Sequence, residues 1–160
     1  MAIDTDVELH PLGGQTVSLA DQTQLFHLVA VVLDPYENES AWMLKTAARI
    51  LHELSDADCR VAWIVTSNEE DARTFLGPHA DNVLTFCDPD RDVVKALDIS
   101  EIPALIHVGT NQELVGLANG WNAETWKPIT NNLAEVLSWN RPGYPKPNDP
   151  GPFAGSPALG

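Results

Sequence analysis

Residues 26–34, FHLVAVVLD, form an almost unbroken apolar run. A run that short, with polar flanks, predicts a strand buried on both faces, as in the middle of a parallel sheet. CRVAWIVTSN (59–68) repeats the pattern, and NVLTFCD (82–88) is a shorter third strand. Between the first two the period changes. From Ser40 to Leu54, the residues Met43, Leu44, Ala47, Ala48, Ile50, Leu51 and Leu54 share one face at helical spacing. Lys45, Arg49 and Glu53 fall opposite, and so does Trp42. EEDARTFLG (69–77) reads as a short helix stopped at Gly77-Pro78, and RDVVKALD (91–98) as another. EIPALIHVG (101–109) is a fourth strand, and NQELVGLANG (111–120) is a fifth, entered by a turn at Gly109-Thr110-Asn111. Asn122 can cap a last helix that runs to about Trp139, with Pro128 delimiting or bending its first turns. Ahead of all these, VELHPLGGQTVSLAD (7–21) predicts a β-hairpin around Gly13-Gly14.

The pattern stops at residue 140. Residues 141–160, RPGYPKPNDPGPFAGSPALG, hold six of the twelve prolines and four of the ten glycines, which predicts an extended, partly polyproline-like and solvated tail. Tyr144 and Phe153 do not suit a pure spacer, since solvation gains nothing from aromatics, and they are candidate anchors to this domain or to a partner. The expected organisation is therefore one domain over 1–140 and a tail over 141–160. Charge narrows the partners. Nine basic and 23 acidic residues give a net charge of −14, which repels phosphate backbones and anionic headgroups. No nucleic acid and no membrane partner is expected, and a basic protein segment suits the field better. MAIDTDVELHP has neither the basic region nor the apolar core of a signal peptide, so the expected location is cytoplasmic. Cys59 and Cys87 are the only cysteines, too few for a disulfide framework.

The order of elements resembles the thioredoxin fold, in its peroxiredoxin-like or cytochrome-maturation-thioredoxin elaboration. LHPLGGQTVSLAD (9–21) is similar to the entry hairpin of those families, and CDPDRDVVKALDISEIPALIHV (87–108) to their acid-Pro-acid turn, helix, Ile-Pro and strand. NQELVGLANGW (111–121) looks like their final β-turn-β. The resemblance covers roughly residues 7–140 and leaves the tail unmatched. It implies an α/β fold, a thioredoxin-like three-layer α/β/α sandwich with a mixed central sheet, the N-terminal hairpin and an extended C-terminal tail. It also implies a cis peptide bond at Ile102-Pro103, next to the corner where such proteins keep their redox cysteines.

In this sequence that corner has no sulfur. The resemblance places Glu37, Asn38, Glu39 and Ser40 over the usual two-cysteine motif, and the Thr-x-x-Cys of peroxiredoxins is equally absent. Thiol–disulfide exchange needs a thiolate, and neither a carboxylate nor a hydroxyl replaces it. Cys59 opens its strand and Cys87 closes its own, so the two should lie at opposite ends of the sheet, too far apart to pair. Asp88 and Asp90 are expected to raise the Cys87 pKa. The five histidines show no zinc-ligand spacing, and His27 and His107 fall within strands. Paired Glu37 and Glu39 read as charges at a helix start. No catalytic residue, metal or cofactor is assigned.

What remains is a surface. Trp42 lies on the polar side of its helix near Tyr36 and the Ile102-Pro103 loop, and Trp is enriched at binding hot spots. Tyr36, Trp42, Ile102 and Pro103 are thus the candidate binding surface for a partner protein or extended peptide. Some hydrogenase-maturation chaperones, cysteine-less thioredoxin folds that hold a basic segment, are similar in design and acidity. Two alternatives stand beside this: an atypical peroxiredoxin or thiol oxidoreductase using Cys87, and a structural subunit attached by its tail.

Overall fold

A computed structural model describes residues 3–160. The hairpin strands β1 (Glu8–Pro11) and β2 (Val17–Ser18) pair antiparallel, with Gly13 supplying the positive φ of the turn. Ser18 then caps a short helix, α1 (Leu19–Thr23), in a region the sequence pattern assigned to the hairpin. Its hydroxyl accepts from Asp21 N–H while Asp21 reaches back to Ser18 N–H, and this capping box starts the helix.

β3 (His27–Leu33), β4 (Cys59–Val65) and β5 (Leu84–Cys87) form the parallel centre of the sheet. α2 (Asn38–Leu54) joins the first two strands, and α3 (Glu69–Leu76) with a short α4 (His79–Asn82) joins the second and third. α5 (Asp92–Ala96) leads to β6 (Glu101–Ile102), and then come β7 (Ala104–Val108), β8 (Leu114–Asn119) and α6 (Ala123–Val136). The sheet order is β2-β1-β5-β4-β3-β7-β8, with β7 antiparallel to β3.

Alternation along each strand sorts the apolar residues onto two faces. Val29, Val31, Leu33, Trp63 and Val65 pack under α2, α3 and α6, against Met43, Ile50, Leu51, Leu76, Trp126 and Leu133. Leu28, Ala30, Val32, Ala62, Ile64 and Ile106 pack on the other face, against Leu19, Val93, Val94 and Leu97. Helices on both faces of a mixed sheet make the three-layer sandwich.

Two expectations are corrected. EIPALIHVG is not one strand: Pro103 separates β6 from β7, and only β7 joins the main sheet. The tail is not a solvated spacer. Tyr144 is 3% exposed and sits in the first core, while Ala158 is 1% exposed and sits in the second, so the tail crosses the sheet end from one face to the other. Ser156–Pro157 is even a strand, β9, paired antiparallel with β6. Composition argued for solvation, but one buried aromatic contributes about 2 kcal/mol, which holds a segment that has no fold of its own.

Candidate functional site

β3 ends at Leu33, and α2 begins at Asn38. Their connection meets the start of β7, because Val32 pairs with Ala104, and continuing that register sets Pro103 beside Leu33. The Ile102-Pro103 peptide bond is cis, as is Tyr144-Pro145. Ser40 is buried at this corner, where its hydroxyl accepts a hydrogen bond from Asp34 N–H at 2.8 Å. Asp34 is also buried, and its carboxylate accepts from Tyr36 N–H at 3.0 Å and from Arg91 Nη2 at 3.1 Å. Glu37 occupies the helix N-cap without a side-chain bond, and Glu39 lies in the first turn, where its charge favours the helix dipole. So Ser40 ties the corner shut, while the two glutamates decorate it.

Tyr36 is 62% exposed and Trp42 is 57% exposed. The Tyr36 hydroxyl donates to the Asp71 carboxylate, which raises its pKa. Ile102 and Pro103 do not share that exposure, and their assignment to an open surface is corrected. Both are buried, and the tail lies across Ile102. Phe153 sets its ring edge-on to Trp42 at 5.4 Å and exchanges both backbone hydrogen bonds with Trp121. Ser156 and Pro157 then pair with Ile102 and Glu101, the Ser156 hydroxyl donates to the Ile102 carbonyl at 3.2 Å, and Ala158 N–H donates to Ser100 O at 3.0 Å. Arg91 Nη1 donates to the Ala158 carbonyl. Arg91 thereby links the corner carboxylate of Asp34 to the tail.

Further back the tail is clamped by side chains. The Tyr144 hydroxyl bonds Thr130 at 2.7 Å, and Trp121 Nε1 donates to Pro150 O at 2.8 Å. Asp149 accepts from both terminal guanidinium nitrogens of Arg49, at 2.7 and 2.6 Å, and from the Thr46 hydroxyl at 2.9 Å. These bonds hold the Asp149 carboxyl down at about 2, with the Arg49 contact the largest cause.

The thiols stand away from this corner. Cys87 ends β5, two strands from β3, which puts it roughly 10 Å from Leu33 at the usual strand spacing. Cys59 starts β4, six residues before the partner of Cys87, which is roughly 20 Å along the strand and excludes a disulfide between them. Burial pushes both thiols up to about 11. For Cys87 the further cause is the charge of Glu69 rather than the expected Asp88 and Asp90. The Asp88 carboxylate turns to the N–H groups of Val93 and Val94 instead. At the other end of the sheet, His27 Nδ1 and His107 Nε2 share a hydrogen bond of 2.8 Å. The buried Nδ1 of His107 has no partner among the described residues, and burial lowers its pKa to about 4. No group of three His, Cys, Asp or Glu side chains placed to hold a metal occurs among the described residues, and none of their helices is long and apolar enough to cross a membrane.

Sequence reasoning missed Asp34, Arg91, Gly155 and the strand at Ser156. The aromatics of the tail were the one signal that pointed there.

No family model matches the chain, and the search of curated proteins finds no match. Solved structures do match. The exposed lipoprotein thioredoxin Etrx1 of Streptococcus pneumoniae is 19% identical, with a TM-score of 0.63 over 81% of this chain and 98% of that one. A cysteine-to-serine mutant of PrxQ from Xylella fastidiosa is 14% identical, with a TM-score of 0.65 over 82% of this chain and 91% of that one. A hypothetical protein from Sinorhizobium meliloti is 14% identical, with a TM-score of 0.69, and covers 99% of this chain and 92% of its own. That last alignment runs on through the tail. Identities this low carry the fold and nothing finer, and on that ground the chain has the thioredoxin-like fold, with two cysteines that form no disulfide pair.

Proposed function

We propose that the protein is a redox-inactive thioredoxin-fold binding module, which docks an extended segment of a partner protein at the corner between Pro103 and α2. A chaperone, maturation or assembly factor would use such a site. The observation that carries this reading is the antiparallel pairing of Glu101–Ile102 with Ser156–Pro157. The edge beside Pro103 accepts a peptide strand, the recognition mode in which backbone bonds supply affinity and side-chain pockets supply selectivity. Trp42 borders the groove as an exposed aromatic, where it meets Phe153. Glu37, Glu39 and the net charge of −14 favour a partner with basic flanks.

Redox chemistry has less support. A thiol held near 11 is ionised in about one molecule in ten thousand at neutral pH, and neither cysteine lies at the corner. A role for residues 141–160 as an attachment arm has less support too, because they are bound along their own domain.

The reading is tested by selecting random twelve-residue peptides on the full chain and mapping them by amide chemical shifts. Selected peptides should move Ser100, Glu101 and the Trp42 indole, with no insulin-disulfide reduction and no peroxide consumption. Peptides that leave those resonances in place would overturn it. Turnover that disappears in Cys87→Ser would put a thiol enzyme in its place.

A further inference from the structure

The occupant of the groove is part of this chain, and its sequence carries a specification. An ideal Cβ on Gly155 would lie 2.6 to 2.9 Å from the O, C and N atoms of Ile102. Those are backbone atoms of β6 itself, in the residue before Pro103, and cannot step aside, so glycine alone fits. Gly120 faces the same crossing, where a Cβ would meet Gly155 N and Phe153 O at 3.1 Å. Next to Gly155, Ser156 is buried and donates to the Ile102 carbonyl. Two residues on, Ala158 is 1% exposed and belongs to the same buried cluster as Ile99, Ile102 and Val94, where a larger side chain would have to displace core residues. Phe153 meets Trp42 at the other end. Ala154 and Pro157 are exposed.

The attachment also has a natural point of release. Asp149 and Pro150 are clamped, but Gly151 and Pro152 are exposed and make no hydrogen bond among the described residues, and a Cβ on Gly151 would meet nothing within 4 Å. Residues 153–158 contain no charged side chain, so no ion pair fixes them. They can leave the groove while residues 144–150 stay in place.

We infer that the groove recognises extended segments of the pattern aromatic-x-Gly-Ser-x-small, and that residues 153–158 are its resident competitor. The inference rests on the binding-module reading above and adds its specificity and its regulation. A tethered occupant two residues from its anchor has an effective concentration of about millimolar or more, so a partner gains access only by outcompeting it. The partner is therefore a segment with Gly-Ser at its centre and a small residue two positions after the serine, presented at high local concentration or with added contacts on Tyr36 and Trp42.

The test uses a fluorescent decapeptide of residues 151–160 and the full chain. Wild-type chain should bind it weakly. Gly155→Val in the chain, which expels the resident segment and leaves the groove intact, should tighten binding about tenfold or more. The same Gly155→Val change in the peptide should abolish binding to either chain. If the Gly155→Val chain does not fold, wild-type chain with millimolar peptide serves instead. Ser100 and Glu101 amides should shift with the natural peptide and stay still with the valine peptide. A folded Gly155→Val chain that binds no better than wild type, or equal shifts from both peptides, overturns the inference. Should selected peptides of another pattern move those amides while the tail peptide does not, the specification fails and the binding module stands. Should nothing move them, both fail.

Discussion

From Trp139 through the first half of the tail to Pro150 the chain is held by side chains, and between Phe153 and Ala158 it is held mainly by its backbone. In the first stretch Tyr144 fills the core, Asp149 takes a two-pronged bond from Arg49, and Trp139 Nε1 donates to Glu53 O. In the second, most bonds run from main chain to main chain at Trp121, Ser100 and Ile102, joined by the Ser156 hydroxyl and the Arg91 guanidinium, and the most enclosed side chain is a methyl group. Side-chain clamps depend on the identity of each residue and on its exact partner. A backbone ladder accepts any strand that clears the sterics. One half of the tail is therefore structure, and the other half has the character of a ligand.

The largest contrast should come from Tyr144→Ala, which empties a core position and leaves the Thr130 hydroxyl only its bond to Lys127 O, at a cost of about 3–4 kcal/mol in urea unfolding. If Phe153→Ala costs as much, the two halves of the tail are equally clamped. Acid separates the tail from the sheet. His107 is neutral in the fold with its pKa lowered to about 4, and His27 is lowered as well, so the unfolded chain binds the extra protons. Stability is complete above about 6.5 and falls by on the order of 2–3 kcal/mol as pH drops towards 4, and His107→Gln should flatten that limb. The Asp149 carboxyl, held at about 2, works lower still. Its contribution, of order 1–2 kcal/mol with Arg49 part-exposed, is present above about 4 and lost as pH falls through 2, and Asp149→Asn should remove this second limb only. The smallest effect belongs to Phe153→Ala, less than about 1 kcal/mol for an edge-on contact at a half-open site. It should shift Trp42 fluorescence to the red as the indole gains water, and an unchanged spectrum would mean that Phe153 does not cover Trp42.

Much of the domain was legible in the pattern of apolar positions. The runs at 26–34 and 59–68 became β3 and β4, and the face of Met43, Ala47, Ile50, Leu51 and Leu54 became the buried side of α2. Asn122 caps α6 as its residue type predicts, its side chain accepting from Glu124 N–H. α1 was missed because its signal, the Ser18–Asp21 box, lies inside a stretch that also reads as a hairpin. The exposure of Trp42 was visible from its helical angle. The burial of Ile102 was not, since nothing in the residues near it announces a strand arriving from more than fifty positions later.

Local sequence, then, determined the periodic elements, the sulfur-free corner and the negative field, because each follows from residue type and spacing within one turn or one strand. Only the tertiary structure decided where the last twenty residues go. Their prolines and glycines exclude helix and wide sheet without selecting an alternative, and the choice came from surfaces that the domain creates when it folds: a slot for Tyr144, a guanidinium for Asp149 and an unpaired edge for Ser156.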